Sequence, residues 1–124
     1  MFQIDAMSRT PVYEQVITQV EKFVLAGILT AGDKMPSVRN LSMELSVNPN
    51  TIQKAYTELD RRGITCSVPG KGNFISENAL EILREDRKNH LEDLSNVVGE
   101  LKLAGIPYED VRDCVVKIYG EEKK

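Results

Sequence analysis

The sequence predicts a mainly α-helical fold with a single small β-hairpin set between two helical stretches. Three observations carry that expectation. Apolar residues recur at helical spacing near both ends of the chain, a capping residue followed by proline opens a helix twice, and one Pro-Gly-Lys-Gly run separates two short β-prone segments.

Residues 1–9 show little pattern and are expected as a short extended lead-in. The first helix is expected from Thr10-Pro11, a good cap before the residue preferred at the first helical position. Tyr13, Val16, Ile17, Val20 and Val24 then form one apolar face, and Gly27 is placed to end the helix. Residues 28–36 read as a connector with a turn at Ala31-Gly32-Asp33. Ser37 caps a short second helix with Val38, Leu41 and Leu45 inward. Ser46-Val47-Asn48 forms a tight turn, and Asn48-Pro49 opens a third helix that ends near Arg62-Gly63.

Two short helices joined in this way form a helix-turn-helix. Residues 64–68 are β-prone and Asn73-Phe74-Ile75 returns across the Pro69-Gly70-Lys71-Gly72 turn, so a hairpin follows at once, as a wing would. The predicted architecture is a winged helix-turn-helix over 1–76 followed by a short helical dimerisation region over 77–124. That region begins with one helix expected from Asn78 to about Ala104, a rod of roughly 40 Å. Leu91, Leu94, Val98 and Leu101 make a coiled-coil-like seam on its second half. Gly105-Ile106-Pro107 breaks it, Tyr108, Val111, Val115 and Ile118 mark a last helix, and residues 121–124 read as a solvated tail.

Composition narrows the function classes. The chain has 124 residues, of which 41% are hydrophobic, sufficient for one compact core. No apolar run approaches the roughly 20 residues of a membrane span, and no signal-peptide pattern opens the chain, which places it in the cytosol. Cys66 and Cys114 lack metal or redox spacing and read as ordinary thiols, and His90 is the single histidine. No cofactor, metal set or catalytic triad is expected. Gly70-Lys71-Gly72 lacks the strand-to-helix setting of a nucleotide loop. The net charge of −3 divides unevenly, with +1 on residues 1–76 and −4 on residues 77–124. An acidic whole chain therefore leaves room for a basic face on its first part.

The third helix is the most informative stretch. Ile52, Ala55, Tyr56 and Leu59 share one face, and Asn50, Gln53, Lys54 and Thr57 share another roughly 160° away. Asn and Gln pair with the adenine edge, Lys reaches guanine O6 and N7, and Thr contacts the thymine methyl, so this stripe suits a major groove. A merely solvated helix face is the alternative. Arg39, in the first turn after Ser37, sits where a phosphate is favoured by free N–H groups and the helix dipole; a salt bridge to Glu44 or Asp60 is its other reading. Lys71 adds charge between two glycines that allow close backbone approach, although any tight hairpin also favours glycine there. Arg61 and Arg62 read as solvated charges at the helix C-terminus, and Tyr56 as a core residue.

The run Met35-Pro36-Ser37-Val38-Arg39-Asn40-Leu41-Ser42, the run Val47-Asn48-Pro49-Asn50-Thr51-Ile52-Gln53-Lys54-Ala55-Tyr56, and Gly70-Lys71-Gly72-Asn73-Phe74-Ile75 together resemble the winged-helix domain of the GntR family. Asn-Pro-Asn-Thr and the short helical tail resemble its YtrA-like subfamily. The resemblance implies a homodimeric bacterial repressor that binds a near-palindromic DNA operator. Its contact positions fall on Ser37, Arg39, Asn48, Asn50, Thr51, Gln53, Lys54, Gly70, Lys71 and Gly72. Control of ABC-transporter genes is also implied. Pro49 and Gln53 stand where many members carry arginine, so base preference does not transfer, and the short tail cannot build a large effector domain; an effector is left unknown. The expected dimer surface is Leu91, Leu94, Val98, Leu101, Val111, Val115 and Ile118. A protein-interaction module with an acidic docking tail is the competing class, and the lack of aromatics on the third helix's outer stripe counts against it.

Overall fold

A computed structural model describes residues 1–120; the expected solvated tail at 121–124 lies outside the described residues. The elements are α1 (Val12–Leu25), α2 (Val38–Leu45), α3 (Pro49–Arg61), β1 (Thr65–Val68), β2 (Gly72–Ile75), α4 (Ala79–Lys88), α5 (His90–Leu103) and α6 (Tyr108–Tyr119). The chain divides into two compact units, Met1–Glu85 and the segment from Asp86 onward.

In the first unit the periodic residues meet as read. Val16, Ile17, Val20 and Val24 of α1, Leu41 of α2, and Ile52, Ala55, Tyr56 and Leu59 of α3 are all buried in one core. Packing continues past residue 76, because Ala79 and Leu83 of α4 are buried in the same cluster. The lead-in is fastened more firmly than expected. Phe2 is buried edge-on against Phe23, 5.3 Å between ring centroids, and Gln3 N–H donates to the Gln19 side chain at 2.9 Å.

Thr10 does not cap α1. Pro11 takes the cap position without a side-chain bond, and Gln15 instead donates to the Thr10 carbonyl at 2.9 Å. The lead-in doubles back onto α1, where Gln15 and Gln19 bond its backbone groups at Gln3, Asp5 and Thr10.

β1 and β2 pair antiparallel with Thr65 opposite Ile75 and Val68 opposite Gly72. The connector before α2 is not a free loop. Gly32 N–H donates to Ile75 O, Ile75 N–H to Asp33 O and Met35 N–H to Asn73 O, each at 2.8 Å, and Lys34 forms a bridge opposite Phe74. A short third edge therefore runs along β2.

The expected single rod from Asn78 to Ala104 is two helices. At Asn89 the ladder tightens to three-residue bonds, Asn89 N–H to Asp86 O at 3.2 Å and Glu92 N–H to Asn89 O at 3.3 Å. Asparagine is a poor helix former in a run with no buried face to hold it. In the second unit α5 and α6 form a helical pair with Gly105 left-handed at φ 79° between them. No helix among the described residues is long and apolar enough to cross a membrane.

Candidate nucleic-acid interface

Local chemistry fixes α2 and α3 at their N-termini. Ser37 Oγ accepts from Asn40 N–H at 3.0 Å, and Asn48 Oδ1 accepts from Asn50 N–H at 2.8 Å, with Pro49 following as the first helical residue. The turn between them closes through Ser46, left-handed at φ 55°, and Val47 N–H bonded to Ser42 O at 3.0 Å. Tyr56 then pins α3 to the residue before the cap: its hydroxyl donates to Pro36 O at 2.7 Å, and burial raises its pKa well above the ordinary phenol value. The N-terminal halves of the two helices are thus held by bonds at both caps and one across the core.

With Ile52, Ala55, Tyr56 and Leu59 inward, Asn50, Gln53, Lys54 and Thr57 are exposed on the opposite side. Gln53 Nε2 donates to Thr57 Oγ1 at 3.2 Å, which orients the amide along the helix before any ligand arrives. Thr51 is half-buried at the edge of the stripe. Lys54 departs from the expectation of a freely reaching cation. Its ammonium lies 4.0 Å from the centroid of Tyr13 on α1, a cation–π stack that draws it to one side of the stripe. The Tyr13 hydroxyl donates to Glu14 at 3.2 Å, and that bond to a carboxylate raises the phenol pKa.

Between α1 and α3 lies an open groove of about 690 Å³, walled by Tyr13, Glu14 and Glu21 on one side and by Asn50, Gln53 and Lys54 on the other. At its far end Arg61 and Arg62 are exposed, as expected, and both are also engaged in ion pairs. Both pair with Glu58, and Arg62 also reaches across to Glu21 at 3.0 Å. Those two guanidinium groups hold the Glu58 carboxyl down at about 2. Glu21, a buried carboxylate on α1, was missed from sequence. The signal was available, since Glu21 continues the apolar stripe four residues after Ile17, where a charge must find a partner.

Arg39 is exposed, and no ion pair among the described residues involves it, so neither Glu44 nor Asp60 takes it up. Asp60 instead accepts from the Thr65 hydroxyl. Lys71 is exposed at the hairpin tip. The turn closes by Lys71 N–H to Val68 O at 2.9 Å, with Gly70 at φ 76° and Gly72 at φ 121°. Both glycines are required by the backbone of the hairpin itself.

In the second unit neither α5 nor α6 contains a buried residue. Leu91, Leu94, Val98, Val115 and Ile118 are exposed, and Leu101 and Val111 are half-buried. Val97, Ile106, Tyr108 and Val116 are exposed as well, beyond the expected stripe, and a groove of about 590 Å³ between the helices is lined largely by these apolar groups.

A capped α2, a tight turn, an α3 with one core face and one amide-rich outer face, and a glycine-tipped hairpin define a winged helix-turn-helix of the DNA-binding class. The family model for bacterial regulatory proteins, gntR family, matches residues 12–75. The chain belongs to the GntR family, in its YtrA-like branch, and is a DNA-binding transcriptional regulator, not an enzyme. It is 41% identical over 124 residues to the HTH-type transcriptional repressor YtrA of Bacillus subtilis, covering 99% of this chain and 95% of that protein. A transcriptional regulator from Oenococcus oeni superposes with a TM-score of 0.75 at 34% identity, covering 93% of this chain and 96% of that one. AraR(DBD), solved in complex with operator ORX1, superposes with a TM-score of 0.53 at 29% identity over 61% of this chain and 93% of that one.

Proposed function

We propose that this regulator is a cytoplasmic repressor that binds a near-palindromic operator as a homodimer, with the N-terminal half of α3 in the major groove. The observation that carries the reading is the outer stripe of α3, exposed and short-chained while its opposite face fills the core. Asn50 and Gln53 read base edges, Thr51 and Lys54 flank them, and Ser37, Arg39, Asn48 and the wing residues Gly70, Lys71 and Gly72 hold the phosphate backbone. Residues 1–76 carry this DNA-binding role and residues 77–124 the pairing of two chains. The support for pairing is the set of apolar side chains that α5 and α6 leave exposed, with no buried residue in either helix. Two-fold symmetry then supplies two copies of α3 for two half-sites. The YtrA-like resemblance favours ABC-transporter genes as the regulated set.

The test is selection of bound duplexes from a random library, followed by competition of the selected site against its scramble at physiological salt. Recovery of an inverted repeat with at least about a thousandfold preference supports the reading. Equal affinity for site and scramble overturns it.

A further inference from the structure

We propose that Lys34, in the connector before α2, is a working part of the wing and supplies a phosphate contact alongside Lys71. The inference rests on the DNA-binding reading above and extends it to a residue outside the helix-turn-helix and the hairpin. The connector is bonded along β2 at Gly32, Asp33 and Met35, which sets Lys34 opposite Phe74. Paired residues on neighbouring strands share a face, and Gly72, two residues before Phe74, lies on that same face toward the tip.

The Lys34 side chain runs in that direction. A Cβ added to Gly72 would come within 3.1 Å of Lys34 Cε and 3.9 Å of its Nζ. Gly72 therefore leaves room for the lysine stem as well as allowing its own positive φ, and the stem delivers the ammonium to the tip that carries Lys71. Lys34 is exposed, and no ion pair among the described residues involves it. The adjacent Asp33 makes no ion pair with it and accepts instead from Thr30 N–H at 2.8 Å and from its hydroxyl at 3.1 Å. Lys34 and Arg39 also bracket the short segment that Tyr56 fastens at Pro36, so both cations are held on one pinned stretch of backbone.

The experiment uses the full chain with Lys34→Met, which keeps the apolar stem over Gly72 and removes the charge, and Lys34→Arg, which keeps the charge. Fluorescence anisotropy is measured on the selected duplex and on its scramble over a range of KCl concentrations. Lys34→Met is expected to weaken both duplexes by the same factor and to make the slope of log K against log salt shallower by about 1.8 for a bound dimer, the value of one phosphate contact in each protomer. Lys71→Ala should do the same, the double variant should remove about two contacts per protomer, and Lys34→Arg should keep the slope of the unsubstituted chain. Lys22→Gln, an exposed lysine on α1 away from the wing, controls for net charge. An unchanged slope in Lys34→Met, or a change no larger than that of Lys22→Gln, with operator preference intact, overturns the assignment of Lys34 alone. Loss of operator preference in the unsubstituted chain would overturn the DNA-binding reading beneath it.

Discussion

Replacing Arg62 by alanine should destabilise the first unit more than replacing the buried carboxylate it serves. Glu21 has a side chain only 9% exposed and receives Arg62 at 3.0 Å across the α1–α3 groove. Removing one partner of a fully buried pair costs about 3–5 kcal/mol, because the remaining charge stays desolvated. Arg62 is 40% exposed, so water reaches its side of the contact and the cost falls to about 2 kcal/mol. Its second contact, with Glu58, adds little, since Glu58 keeps Arg61. For a unit of this size that is a fall in melting temperature of roughly 8–16 °C. Glu21→Met removes the buried charge and leaves an apolar chain in line with Ile17 and Val24, so it should cost within about 1 kcal/mol. In the double variant most of the Arg62→Ala cost disappears, giving a coupling energy of about 1–2 kcal/mol. Urea unfolding followed by circular dichroism measures all three. Additive losses, or a Glu21→Met loss equal to that of Arg62→Ala, would refute the pairing as the source of the effect.

Three further outcomes follow from other parts of the molecule. Gln53→Ala and Asn50→Ala should each relax base preference at one position of the half-site by about 1–3 kcal/mol while leaving the salt slope intact, read by binding to a panel of single-substituted duplexes. The depressed Glu58 carboxyl gives an acid-linked contribution of definite sign. Its folded pKa of about 2 lies below the ordinary value of 4.5, so the stabilisation is full above 4.5 and is lost as pH falls toward 2. Glu58→Gln should therefore remove part of the wild-type decline in urea midpoint across that window, and an unaltered pH profile would count against the Arg61–Glu58–Arg62 cluster. Leu94→Asp, on the exposed face of α5, should convert dimers to monomers in sedimentation and weaken operator binding without lowering the melting temperature of the first unit.

What was legible in the sequence was whatever repeats within a helical turn. Ile52, Ala55, Tyr56 and Leu59 follow a 3.6-residue period, and Ser37 and Asn48 act on amides two or three residues away, so local pattern sufficed to orient α3. Pairings across the chain left no such trace. Glu21 and Arg62 are 41 residues apart, and Lys34 meets Phe74 only because the connector returns along β2. The cap of α1 failed for a related reason: Thr10-Pro11 has the right local chemistry, but the lead-in is held by Gln15 and Gln19, contacts that lie outside the local pattern. The break at Asn89 was hidden because charged residues on either side satisfy a helical pattern whether or not the ladder is continuous.

The Tyr13–Lys54 stack alters the division between affinity and specificity. From sequence, Lys54 is the one cation on the outer stripe of α3 and is expected to serve both. Held at 4.0 Å over the Tyr13 ring, it lies at the α1 border, and the central positions Asn50 and Gln53 are neutral amides. A helix face with no central cation gains little from phosphate neutralisation, so it discriminates by hydrogen-bond pattern and binds weakly by itself. On the proposed reading, charge for the backbone comes from Arg39 on α2 and from the lysines of the wing, all anchored outside α3. That separation permits the bases read by α3 to change through Asn50 or Gln53 while the salt-dependent part of binding stays constant. It also accounts for a chain of net charge −3 acting on DNA, because only a few cations on one face need to be free of carboxylate partners.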